Sequence, residues 1–347
     1  MKKTLVIDVR VGSDFTIDAV WAGLVNVLGH ENVIDYPPAD KHRAGIPQIT
    51  GNVDKDYGAE RCSLCYTGKK FPSFTMKEIN DLMRSEEIER IFIDERLESY
   101  EVYLQTIARF MAIPVVVVAG HDRFWNKSLD VLKMWYKDNL EAMFLDNWIS
   151  GYDNYKNTYL INYATNFDHL WNVEERKELL KNKKYDIFFM GYNSHPDRAM
   201  FVDHLIEKYG TKNNKIFVEK RPNTVECFVP KREYFKYMAQ SKICINLRGA
   251  AACGKALRFY EIPYVGSFML SQRFEGKQVR PFEEFEDCDY FSTIDEMDRK
   301  IDEYLKNDLI RECIAQNGRN WAKQFHTAEA RVRYMYECLS GKDVRDR

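Results

Sequence analysis

Eight short and almost wholly apolar runs punctuate the chain: TLVIDV (4–9), NVIDY (32–36), RIFID (90–94), PVVVVAG (114–120), YDIFFMG (185–191), KIFVEK (215–220), KICINLR (242–248) and SFMLS (267–271). Runs of this length and composition, without polar alternation, read as strands buried on both faces. Between most of them lie segments of helical period, such as FTIDAVWAGLVNVLG (15–29), ESYEVYLQTIARFMA (98–112) and PDRAMFVDHLIEKYG (196–210). Strand and helix in alternation predict parallel sheets covered by helices. The alternation occurs once before about residue 125 and again after about residue 185, so two α/β domains in tandem are expected. A length of 347 residues exceeds what one core usually supports, which agrees.

The stretch between, 125–184, reads as helical. Phe144, Trp148 and Tyr152, then Tyr155, Tyr159, Tyr163, Phe167 and Trp171, recur every four residues on either side of a slip near Gly151. On a helix this spacing puts the rings on one face. Such a face either packs between the domains or stacks on sugar rings. Lys181–Lys184 would then be an exposed linker into the second domain, and after residue 294 the pattern is helical to the end.

Fifty-one basic and fifty-three acidic side chains give a formal charge of -2, with no long like-charge block. That balance argues against nucleic acid and anionic membrane as partners. MKKTLVIDV lacks the long apolar region of a signal peptide, and no run approaches the ~20 apolar residues of a membrane span, so a cytoplasmic protein without a transmembrane segment is expected. Oligomeric state is not readable. In a reducing compartment the eight cysteines read as buried thiols.

In open α/β sheets ligands bind beyond the carboxyl ends of the strands. After YDIFFMG come Gly191, Asn193, Ser194 and His195 ahead of Pro196, a strand-to-helix turn able to hold a phosphate or simply to cap the helix. After KICINLR come Arg248, Gly249, Gly254 and Lys255, an anion site with two cations that suits a diphosphate. Glu261, two turns into the next helix, has the acceptor chemistry for the vicinal hydroxyls of a ribose. Arg258, three residues earlier, either reaches a phosphate or forms an ion pair with Glu261.

The run SKICINLRGAAACGKALRFYEIPYVGSFMLS, with Asn307, Asp308, Arg311, Gly318, Arg319, His326, Thr327 and Arg331 further on, resembles the C-terminal domain of GT-B glycosyltransferases. More narrowly it is similar to the branch related to spore-maturation glycosyltransferases. The resemblance covers about residues 185–338; the first half matches in outline. It implies two doubly wound, Rossmann-like domains facing a cleft. Residues 1–170 would form the acceptor-side domain, 185–325 the nucleotide-sugar domain, and 326–347 a helix crossing back to brace the first. It also implies a UDP-, GDP- or other nucleotide-sugar donor, with Glu261 on the ribose and the loop after Arg248 near the diphosphate. No tightly bound cofactor and no metal are expected. The acceptor would be a small molecule, a glycan or a protein. Related retaining enzymes carry a second glutamate eight residues before the ribose glutamate; Cys253 stands there, so a retaining mechanism does not carry over.

In the first half, Arg10, Gly12 and Ser13 follow the first strand and either touch donor or acceptor or merely connect strand to helix. His121 and Asp122 follow PVVVVAG at the cleft end of a buried strand, where a general base belongs. Asp122 is the first choice and His121 the second, with Asp94 and Glu95 a weaker pair. Capping of the next helix is the plainer reading of His121 and Asp122. Cys62 and Cys65 form one CxxC without a second pair, and a single pair does not make a structural zinc site. Asp54-Lys55-Asp56 and Asp287-Cys288-Asp289 fit the Asp-x-Asp metal motif of the other major transferase fold and are set aside. The absence of GxGxxG and Walker A patterns weakens an NAD-dependent oxidoreductase or epimerase. A non-catalytic nucleotide-sugar-binding protein is the remaining alternative to transfer.

Overall fold

The computed structural model describes residues 2–9, 15–39, 42, 67–107, 113–120, 139–146, 156–192, 196–210, 216–221, 229–249 and 256–342. Two parallel sheets organise it. The first comprises β1 (Lys3–Ile7), β2 (Val33–Tyr36), β3 (Ile88–Asp94), β4 (Val115–Ala119), β5 (Leu140–Leu145) and β6 (Thr158–Leu160), in the order β2-β1-β3-β4-β5-β6. The second comprises β7 (Tyr185–Tyr192), β8 (Ile216–Arg221), β9 (Ser241–Asn246), β10 (Phe268–Gln272) and β11 (Asp289–Phe291), in the order β11-β10-β9-β7-β8. Each sheet steps first to one side of its opening strand and then to the other. This leaves a crevice at the carboxyl ends of β1 and β3, and a second at β7 and β9.

Period-two burial shows why these runs are strands. Leu5, Ile7, Ile91, Ile93, Val115 and Val117 pack on one face against α2 (Met76–Arg84) and α3 (Leu97–Ile107). Val6, Phe92, Val116 and Val118 pack on the other against α1 (Phe15–Leu28). Each fully buried valine contributes about 1.5–3 kcal/mol relative to an exposed one, so a run buried on both faces stays in the sheet centre.

The second sheet is covered on one face by α5 (Pro196–Tyr209), α8 (Ile294–Lys306) and α9 (Asp308–Phe325). On the other lie α6 (Lys231–Ala239) and α7 (Arg258–Val265), which join Tyr163, Ala164 and Phe167 in one apolar cluster that also reaches Ala19 and Ala22 of α1. After α4 (Val173–Lys181), Lys183 is half-buried and donates to the Ala239 carbonyl (2.8 Å), closing the C-terminus of α6 rather than lying in an exposed linker.

The helical reading of 125–184 holds for Val173–Lys181 and is corrected for the described residues 140–145 and 158–167. Phe144 is a strand residue of β5, Tyr159 lies in β6, Tyr163 follows that strand outside any helix, and Phe167 caps the short 3-10 turn Asp168–Leu170. Trp148, Tyr152 and Tyr155 fall outside the described residues. Phe167 meets Phe235 edge-on (5.0 Å between centroids), and its backbone N–H donates to the Tyr264 hydroxyl (3.2 Å) instead of to a helical carbonyl. Tyr163, Phe167 and Trp171 therefore pack in the cluster shared with the second sheet, while Phe144 and Tyr159 pack on the first.

The last helix, α10 (Ala328–Leu339), returns to the first sheet and lies on α1. Gly23 makes that contact possible: a Cβ there would stand 2.2 Å from the Ala328 carbonyl oxygen. The two chain crossings also touch, with Thr165 N donating to His326 O and Ala328 N donating to Thr165 O, both at 2.9 Å. No described helix is long and apolar enough to cross a membrane.

Candidate functional site

The carboxyl ends of β7 and β9 bring two arginines together. Arg258, the first residue of α7, is buried; its Nη2 donates to the Met190 carbonyl (2.7 Å) and its guanidinium lies 4.7 Å from the Phe189 ring centroid. Gly191 admits it, since a Cβ there would come within 2.4 Å of Nη2. Among the described residues Arg258 Nε and Nη1 are buried with no close hydrogen-bond acceptor, and the Tyr234 hydroxyl stands near the guanidinium. Arg198, from α5, is also buried and donates from Nη2 to the Arg248 carbonyl, with a longer contact to Leu247 O (3.4 Å). Burial, and next the charge of Arg258, lower the Arg198 pKa to about 10. Two desolvated cations beside strand ends, fixed on carbonyl oxygens, form a ready-made anion site.

Glu261 completes the arrangement. It is buried on the first turn of α7, and its Oε1 accepts from Lys231 Nζ at the start of α6. Arg258 and Glu261 thus have separate engagements, one with β7 and one with α6, instead of the simple i, i+3 pair that spacing allows. Arg248 is anchored too: its amide donates to Gln272 Oε1 (3.0 Å) and its Nε to the Arg273 carbonyl (2.7 Å), at the end of β10.

Of the residues singled out from sequence, Gly191, Arg248, Arg258 and Glu261 gather at this crevice. Gly12, His121, Asp122, Asn193, His195, Gly254 and Lys255 lie outside the described residues, as do Arg10, Ser13, Cys62, Cys65, Cys253 and the Asp54–Asp56 triplet. Arg198 and Lys231 were missed by sequence reasoning. Arg198 had a signal, two residues past the Pro196 that opens the helix after β7; Lys231 had none, being thirty residues before its partner.

With that geometry in view, residues 198–337 match the family described as glycosyl transferase-like. A glycosyltransferase from Rickettsia africae superposes with a TM-score of 0.57 at 12% identity, covering 98% of each chain. Anabaena HepE, solved with UDP and glucose, gives 0.56 at 12% identity over 98% of this chain and 100% of that one. Sucrose-phosphate synthase from Thermosynechococcus elongatus gives 0.53 at 12% identity over 98% and 99%. The chain has the GT-B glycosyltransferase fold. No curated protein matches the sequence.

Several hallmark positions of the GT-B resemblance prove to be packing devices. Arg311 bonds Asp308 Oδ1 and the Tyr304 carbonyl, both at 2.7 Å, tying α9 to the end of α8. Arg331 donates to His326 Nδ1 (3.0 Å), which leaves His326 Nε2 as the donor to Arg280 O (2.9 Å), beside the chain crossing. Asp289 accepts from Lys300 (2.7 Å) and Tyr304 (2.8 Å), so the Asp-x-Asp at 287–289 is engaged within its own domain.

On the first domain, Asp94 is held by Arg96 Nη1 (3.0 Å) at the end of β3. Asp8, Asp18 and His42 are buried and place one ligand atom each within 4.8 Å of one another, the one such group among the described residues that could hold a metal ion. His42 Nδ1 also contacts Asp35 Oδ2 (2.9 Å) while its ring stacks on Trp21 at 4.0 Å. A cavity of about 350 Å³ at the opposite end of the second sheet is bordered by Lys183, Lys242 and Arg311. Those cations already serve Ala239 O, Asp186 and Asp308, so its charge is spoken for.

Proposed function

We propose that the chain is a glycosyltransferase that moves a sugar from a nucleotide-sugar donor to an acceptor hydroxyl, with the donor seated at the crevice of β7 and β9. The observation that carries this is Arg258: a guanidinium buried at a strand-end crevice, fixed on the Met190 carbonyl, beside a buried carboxylate. The family match over the second half and the fold shared with UDP-bound HepE support it.

In the reaction the bond between the anomeric carbon and the donor phosphate oxygen breaks, and negative charge grows on the departing diphosphate. Arg258 and Arg198 stabilise that charge without reorganising, because both are fixed before substrate arrives. Arg248 and Lys255, proposed from sequence, add to the same field. Glu261 accepts from the ribose hydroxyls. The acceptor hydroxyl forms the new bond to the anomeric carbon and gives its proton to a base. Asp122, with His121 second, is proposed for that role from its place after β4. Asp122→Asn is expected to abolish transfer while donor affinity, measured calorimetrically, stays within about twofold.

The test of the function is a screen of UDP-, GDP-, ADP- and dTDP-sugars followed by NMR. Slow release of free sugar and nucleoside diphosphate from one donor is expected. Binding without turnover in any condition would make the chain a non-catalytic nucleotide-sugar-binding protein, and stabilisation by NAD(H) alone would end the transferase reading.

A further inference from the structure

The ammonium of Lys231 is held in an unusual place. It contacts Glu261 Oε1, and around it stand three rings, Phe167, Tyr234 and Phe235, whose centroids lie 5.0, 5.2 and 5.2 Å away. The Lys231 side chain keeps 20% exposure, whereas that of Glu261 keeps 3%. Aromatic faces at this range attract a cation and fix its position. An ionised carboxylate this deep is strongly disfavoured without a counter-charge, and Lys231 supplies one.

Resting on the donor-site reading above, we infer that Lys231 is a positioning residue for nucleotide recognition: it orients Glu261, with one carboxylate oxygen on the ammonium and the other directed to the ribose diol. The chemistry follows from donor and acceptor counts. A ribose offers two hydroxyl donors, and a carboxylate oxygen has two lone pairs to accept them once its partner oxygen is held on the ammonium. Lys231 is therefore what makes the pocket select ribonucleotides over sugars lacking the diol. Phe167 belongs to the segment that joins the two sheets, so the same ammonium links donor recognition to the interdomain packing.

The experiment compares affinities for UDP and GDP with those for their 2′,3′-dideoxy counterparts. The wild-type protein is expected to prefer one ribonucleotide roughly tenfold or more over its dideoxy form. Lys231→Met should lower ribonucleotide affinity to the dideoxy level and leave dideoxy affinity within about twofold. Lys231→Arg should restore most of the preference, and Lys231→Gln, which keeps a donor but no charge, should restore little. A loss shared equally by both nucleotide types in Lys231→Met, or a preference that survives it, overturns the inference. If Lys231→Met is unfolded by circular dichroism, the Arg and Gln variants decide by the same ratio. Wild-type protein that binds neither ribonucleotide nor dideoxynucleotide would remove the donor-site reading, and this inference with it; wild-type binding without ribose preference would remove only the inference.

Discussion

At the scale of single residues, the decisive contacts run between chain segments far apart. Arg258 is held by Met190 and Phe189 across the sheet, Glu261 by Lys231 from another helix. Glu261→Ala is expected to weaken nucleotide binding by about 1–3 kcal/mol, the cost of losing hydrogen bonds to a charged group. Isothermal titration checks this, with the unfolding midpoint as control; a lower midpoint at unchanged affinity would make Glu261 purely structural. The two residues were legible in the sequence as a pair three apart on one helix. What spacing could not reveal was that each faces a different neighbour, because position along a helix fixes angle but not what stands opposite.

At the scale of elements, continuous apolar runs were legible and brief ones were not. PVVVVAG became β4 as read, whereas LEAMFL (140–145) and TYL (158–160) were absorbed into a supposed helix. The four-residue recurrence of rings across 144–171 imitates helical period, yet Phe144 and Tyr159 lie on separate strands and Phe167 caps a 3-10 turn. Fold class survived the error because it rests on the alternation of strong strands. The same segment contains His169, in the short 3-10 turn Asp168–Leu170. Burial pushes its pKa down to about 4 from an ordinary 6.5, against a partial lift from Asp168. The folded state then holds fewer protons than the unfolded one between those values. Its contribution is complete above about pH 6.5 and disappears as pH falls toward 4, costing up to about 2 kcal/mol once partial exposure is allowed for. His169→Gln should flatten that limb of the stability–pH curve, measured by urea unfolding from pH 7 to pH 4; an unaltered slope would show that His169 titrates normally.

At the scale of the whole molecule, the two halves are joined by chain that crosses twice, and the crossings hydrogen-bond each other through Thr165, His326 and Ala328. The resemblance implied a final helix crossing back to the first domain, and α10 does lie on α1 there. Gly23→Ala tests the tightness of that return. The new methyl would also stand 2.6 Å from Val332 Cγ2, so overpacking is expected to destabilise the protein by about 1–3 kcal/mol, read as a lowered calorimetric midpoint. A midpoint equal to wild type would mean that α1 and α10 separate at little cost.

The placement of α10 also sets an order of events during synthesis. The face of α1 that it covers is made within the first few dozen residues, yet Ala328 follows Leu28 by 300 positions. At roughly 5–20 residues per second, a ribosome needs about 15–60 s to supply the missing piece. Throughout that interval the first sheet can form but one of its helices stays uncovered, while the second sheet is built behind it. A helix made some 300 positions later is what covers this face of the first domain.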